Sequence, residues 1–136
     1  MNTALLLPVT ALYTGLFLLL ILVLAANVVR QRLGGQVSLG DGGNRTLAQA
    51  IRAHGNATEY VPVVLIGLAV LELTGAPGAA LHLYGGIFFL GRLLHAIGMT
   101  RPRAVNKARQ LGIALSWLIM LAMAIHLIGC KVLGLS

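Results

Sequence analysis

Acidic residues are scarce in this chain: three Asp and Glu stand against ten Lys and Arg, for a formal charge of +7. Charged residues of either sign make up only 10% of the 136 residues, while 58% are hydrophobic. With a mean hydropathy of +0.91, so little charge excludes a soluble domain of this length and reads as an integral membrane protein. A basic excess can signal nucleic-acid binding. Here the basic residues lie at the ends of apolar stretches, where the positive-inside effect accounts for them. Cysteine occurs once, at Cys130, which excludes an internal disulfide and zinc-finger spacing; its simplest role is that of a small buried hydrophobe. The four histidines, His54, His82, His95 and His126, divide between two membrane faces without close ligand spacing, which argues against a haem or metal site. His82 and His126 read as interfacial or helix-packing residues. The first apolar stretch holds no carboxylate, which excludes a small four-helix multidrug exporter built around one.

What the chain does have is four apolar stretches of membrane-spanning length, leaving room only for short connections. The expected architecture is all-α: one membrane domain over residues 1–136, with transmembrane helices at about 5–29, 47–74, 79–99 and 110–133. The first stretch exceeds the core of a signal peptide and carries no basic residue before it, so it reads as a retained span closed by the basic stop Arg30-Gln-Arg32. The glycine-rich segment 33–45 lacks the Lys-Ser/Thr ending of a phosphate loop and reads as a turn-rich connector. Thr46 and Gln49 have capping-box spacing, predicting a second helix from Leu47. Pro62 removes one donor from that helix, and Glu72 at its far end reads as an interfacial carboxylate. Arg30, Arg32, Arg45 and Arg52 fall between spans one and two; Arg101, Arg103, Lys107 and Arg109 fall between three and four. Both basic loops are therefore expected in the cytoplasm and both termini on the other side.

The stretch Arg52-Ala-His-Gly-Asn-Ala-Thr-Glu-Tyr-Val-Pro62 breaks the apolar pattern. At about 100° per residue, Arg52, Asn56 and Glu59 lie near 0°, 40° and −20°, a narrow polar stripe about two turns long flanked by Tyr60. Ionisable groups at membrane depth are costly and mark a candidate site. On the third span Arg92 and His95 are one turn apart and share a face. The expected topology gathers both sets at the cytoplasmic ends of helices two and three. Arginine forks pair carboxylates, and Glu59 can take an ammonium, so the cluster suits a small anionic ligand that carries an amine. Glutathione is one such ligand, and nearby guanidinium charge favours its nucleophilic thiolate. The same residues also suit an interhelical network that fixes packing.

The second-helix stretch, with its Arg-x-x-x-Asn-x-x-Glu-Tyr pattern, resembles the motif of the MAPEG family, the membrane-associated proteins in eicosanoid and glutathione metabolism. Gly91-Arg92-Leu-Leu-His95 resembles the family's third-helix motif, and Val37-Ser-Leu-Gly-Asp-Gly42 the first loop of its bacterial branch. The resemblance covers nearly the whole chain. It implies a homotrimer of four-helix subunits in a bacterial inner membrane, with glutathione as co-substrate held between neighbours. By position, Arg52, Asn56, Glu59 and Tyr60 would hold the tripeptide, with His95 and Arg92 lining the cleft. Arg30 or Arg32 of an adjacent subunit would approach the sulfur. The implied activity is transfer of glutathione to a lipophilic electrophile, or reduction of a lipid hydroperoxide, with Arg30, Arg32 and Arg92 as the thiolate-stabilising residues and no metal. The chain departs from the pattern at Met99, where relatives of the eicosanoid-synthase type carry a tyrosine facing the thiol. A thioether cannot donate a hydrogen bond, so activation would rest on arginine charge. The alternative is a non-catalytic member whose polar residues stabilise the trimer.

Overall fold

The computed structural model describes residues 6–101 and 106–134. Arg103 lies outside the described residues, as do the side chains of Cys130 and Lys131. Four helices make up the fold: α1 (Pro8–Gly35), α2 (Arg45–Leu73), α3 (Gly78–Met99) and α4 (Lys107–Leu133). All four contain a stretch long and apolar enough to cross a membrane, so the chain is an all-α integral membrane bundle. Leu118, Leu121, Ile125 and Ile128 of α4 are exposed, the inverse of a soluble helix and the arrangement a hydrocarbon surround requires.

The helix ends differ from the sequence expectation in ways that local chemistry explains. Helix α1 runs through Arg30-Gln-Arg32 to Gly35 instead of stopping there, because Arg, Gln and Leu are good helix formers and nothing before Gly34 breaks the pattern. It closes at Gln36, which adopts left-handed φ 51°, and the Val37 N–H returns to the Arg32 carbonyl at 3.0 Å. The Arg32 guanidinium also donates to the Gly40 carbonyl at 3.0 Å, folding the glycine-rich connector back on the helix. The cap of α2 is Asn44, not Thr46: its Oδ1 accepts from the Thr46 and Leu47 N–H groups at 2.9 and 3.1 Å. Asn is among the best N-caps, and a side chain two residues earlier wins the role. Asn106 caps α4 through the Arg109 N–H at 3.0 Å, starting that helix at Lys107 rather than Gln110.

Helix α1 packs on α2 and α3, while α4 packs mainly on α3; among the described residues α1 and α4 lie on opposite sides of the α2–α3 pair and do not touch. Phe17, Val64, Leu68 and Phe88 occupy the core between them. The α3–α4 contact is close because it is lined by glycine: a Cβ on Gly91 would meet the Gly112 carbonyl at 3.1 Å, and one on Gly98 would meet the Arg109 backbone at 2.5 Å. Without a hydrophobic driving force between helices in lipid, such small-residue contacts carry the packing.

At the end of the bundle away from the basic loops, Glu72 does more than sit at an interface. Helix α1 has no side-chain cap of its own. The Glu72 carboxylate, from the end of α2, accepts the Val9 and Thr10 N–H groups at 2.9 and 2.8 Å. Two orphan donors and the positive end of the α1 dipole are satisfied by one distant carboxylate. Nearby, Tyr13 is buried, donates its hydroxyl to the His82 carbonyl at 3.0 Å and lays its ring against Gly85. The Tyr84 hydroxyl meets His126 Nδ1 at 3.1 Å. Both histidines therefore tie helices together.

Candidate functional site

Arg92 is the centre of the polar cluster. It is 2% exposed, and its planar fork is shared between two other helices. Nη1 donates to Asn56 Oδ1 of α2 at 2.6 Å, and Nε donates to Ser116 Oγ of α4 at 3.0 Å. The Ser116 hydroxyl donates to the Gly112 carbonyl at 2.8 Å, so its oxygen is oriented to accept. The guanidinium carbon lies 5.0 Å from the centre of the Tyr60 ring and 5.8 Å from that of Phe88. Weakly hydrated and stackable, a guanidinium is the cation best suited to such a site. The third nitrogen, Nη2, is buried and has no hydrogen-bond partner among the described residues. A buried donor left unpaired costs about 1–3 kcal/mol.

The glycines explain how α4 comes within reach. A Cβ on Gly91 would stand 3.3 Å from Ser116 Oγ, and one on Gly112 would run into the His95 backbone. His95 is consequently buried against the α4 backbone. Its place beside Arg92 on one face of α3 follows from the one-turn spacing.

The α2 stripe divides in two. Asn56 turns inward to Arg92, and Tyr60 packs over it, with the Tyr60 hydroxyl accepting from Trp117 Nε1 at 3.0 Å. Arg52 and Glu59 stay outside: their charges are 3.7 Å apart with side chains 62% and 55% exposed. An exposed pair two turns apart on one helix contributes about 0–1 kcal/mol and links no two helices. Arg30 and Arg32 do not join the cluster within the chain. Arg30 is exposed and donates to Asn27 at 3.0 Å, and Arg32 holds its own loop. Met99 is buried in the apolar core.

Ser116 and Trp117 are the two cluster residues that sequence reasoning missed. Ser116 is the one hydroxyl residue of α4, and a single hydroxyl in an apolar span is the signal that would have found it. Among the described residues, no three His, Cys, Asp or Glu side chains converge as a metal site.

The chain is 36% identical over 117 residues to the inner membrane protein YecN of Escherichia coli K12, covering 86% of this chain and 88% of the relative. The match to YecN of Escherichia coli O6:H1 has the same identity and coverage. A sequence model of the MAPEG family matches residues 10–129, which takes in all but the first two residues of α1, both polar motifs and most of α4. By that span and that identity, the chain belongs to the MAPEG family.

Proposed function

We propose that the protein is a glutathione-dependent transferase or peroxidase of the inner membrane, acting as a homotrimer on lipophilic electrophiles that reach it through the bilayer. The observation that carries this reading is the division of the polar stripe. Arg52 and Glu59 are opposite charges, exposed, and spent on no helix contact, beside a buried arginine with one uncommitted nitrogen. That inventory fits a tripeptide with two carboxylates and an ammonium. Arg52 pairs a carboxylate, Glu59 the ammonium, and Asn56 and Tyr60 line the site with His95. Family membership supports glutathione as the thiol, and the relatives' name supports the inner membrane.

Because Arg30 and Arg32 lie apart from Arg92, their proposed contribution is to a neighbouring copy, where one of them approaches the sulfur. Cationic charge there and at Arg92 holds the sulfur as thiolate. In transfer, the thiolate forms a carbon–sulfur bond at the electrophilic carbon. The displaced group, or the oxygen of an opened ring, leaves with the bonding pair and takes a proton from water. In peroxide reduction, sulfur attacks one peroxide oxygen and the other leaves as alkoxide, protonated to the alcohol. A second thiol then reduces the sulfenic acid to the disulfide and water.

The non-catalytic reading draws on Asn56–Arg92–Ser116, which ties three helices together. Calorimetric titration of glutathione into the detergent-purified protein separates the two. Under the proposed function Arg52→Ala and Asn56→Ala abolish binding while the oligomer stays intact. A folded wild type that binds no glutathione, or an Arg52→Ala variant that dissociates, would establish the structural role instead. The proposed orientation places segments 34–43 and 100–107 in the cytoplasm. Labelling of a cysteine introduced in either segment by a reagent confined to the outer face would reverse it.

A further inference from the structure

A second polar–apolar site opens on the other side of the bundle. Between α1, the start of α2 and the end of α3 lies a cleft of about 610 Å³ that shares no residue with the Arg92 cluster. Its volume falls within the roughly 300–1,000 Å³ of ligand sites. Its lining is graded along the helix axes. Along α1 the lining runs from Leu20 and Leu24 to Arg30 and Gln31 at the end nearest the basic loops, where Thr46 and Gln49 of α2 and Leu93 and Ala96 in the last turns of α3 complete the wall. The Gln49 amide donates to the Arg101 carbonyl at 3.2 Å, tying α2 to the end of α3 at that rim.

The length of the gradient identifies the occupant. Leu20 is near the middle of α1, and from there to Gln31 the helix rises about 16 Å. Half the hydrocarbon core of a bilayer is about 15 Å. The cleft therefore spans one leaflet, from midplane to headgroup depth, as an acyl chain does. Charge complementarity selects the headgroup. Arg30 is exposed and gives one nitrogen to Asn27, and no acidic residue lines the cleft. A second copy of the chain has little to offer this cation. Its three acids are Asp41, Glu59 and Glu72; Asp41 accepts from its own turn, Glu72 holds the α1 amides, and Glu59 lies beside Arg52 in the proposed thiol site. The geometry points to this cleft as a binding site for an anionic phospholipid of the leaflet at the basic end. One acyl chain runs along Leu20 and Leu24, and the phosphate sits at Arg30 with the amides and hydroxyl of the rim. This assigns Arg30 to the lipid. Lipid binding is read without any thiol present, so it stands or falls separately from glutathione binding.

The test is native mass spectrometry of the detergent-released protein titrated with phosphatidylglycerol and with phosphatidylcholine of the same acyl chains. Phosphatidylglycerol is expected to bind at least tenfold more tightly. Arg30→Gln should bring it down to the phosphatidylcholine level, and Arg32→Gln should preserve the preference. Ala26→Trp, at an exposed position on the cleft wall, should weaken both lipids. Equal binding of the two lipids by the wild type, or a preference that survives Arg30→Gln, would refute the site. Competition by glycerol phosphate as strong as that by intact lipid would reduce it to a soluble-anion site. Disulfide formation between copies through Ala26→Cys, in a Cys130→Ser background, would show that a second copy closes the cleft.

Discussion

The two ends of this bundle handle charge in opposite ways. At one end Glu72 meets two backbone amides, and each of its oxygens has a short hydrogen bond. At the other, Arg92 is more deeply buried yet leaves Nη2 without a partner, and the charges beside it, Arg52 and Glu59, face outward. A group whose bonding capacity is filled from within the chain has a structural task. One whose capacity is left open, among the described residues, carries a cost in stability that the proposed function accounts for with a ligand. The difference lies in partners, since both groups are single ionised side chains on membrane-spanning helices.

The comparison can be broken most forcefully at Arg92. Arg92→Ala leaves Asn56 and Ser116 without their partner and opens a cavity, so thermal or denaturant unfolding in detergent should show a loss of about 3 kcal/mol. A loss under about 1 kcal/mol would mean that the cluster does not hold α2, α3 and α4 together. Next comes Arg52→Ala, which should weaken glutathione by about a hundredfold or more, beyond calorimetric detection, equivalent to at least about 2.8 kcal/mol of binding. Because the side chain is exposed, unfolding stability should move by no more than about 0.5 kcal/mol. Glu72→Ala should do the reverse, costing about 2 kcal/mol of stability for two orphaned amides while leaving thiol affinity within about twofold. If Glu72→Ala lowered affinity as much as Arg52→Ala, the separation of the two ends would be wrong. The smallest effect is expected from Met99→Tyr. By adding a hydroxyl donor where the chain has a thioether, it should raise thiol-transfer rate about tenfold, below the roughly hundredfold or more of a fully positioned proton donor because position 99 lies in the core. An unchanged rate in a folded variant would show that a tyrosine at 99 does not reach the thiol from the core.

Hydropathy alone reveals the four spans, because lipid demands runs of apolar residues that few other environments tolerate. Helical periodicity brings Arg52, Asn56 and Glu59 to one stripe, and the alternation of basic loops brings that stripe to the same end as Arg92. Periodicity does not say how far each helix is rotated, and that rotation separates inward Asn56 from outward Arg52 and Glu59. Nor does it announce Ser116, whose role depends on how closely Gly91 and Gly112 let two backbones approach. Glu72 was harder still: its partners are backbone amides, which carry no signature in the sequence. The caps were partly legible, since Asn44 and Thr46 compete for one role and only the geometry of the connector decides between them.

The Glu72 contact also bears on the order in which the chain matures. Val9 and Thr10 find their acceptor 63 and 62 residues further along, at the far end of the next span. During synthesis, helix α1 enters the membrane with its first turn incomplete and acquires its terminus only when α2 has crossed. The terminus of α1 is therefore completed by the α1–α2 pair and not by the first span alone. Glu72, placed at the closing end of that pair, makes completion of the second crossing the event that locks the first.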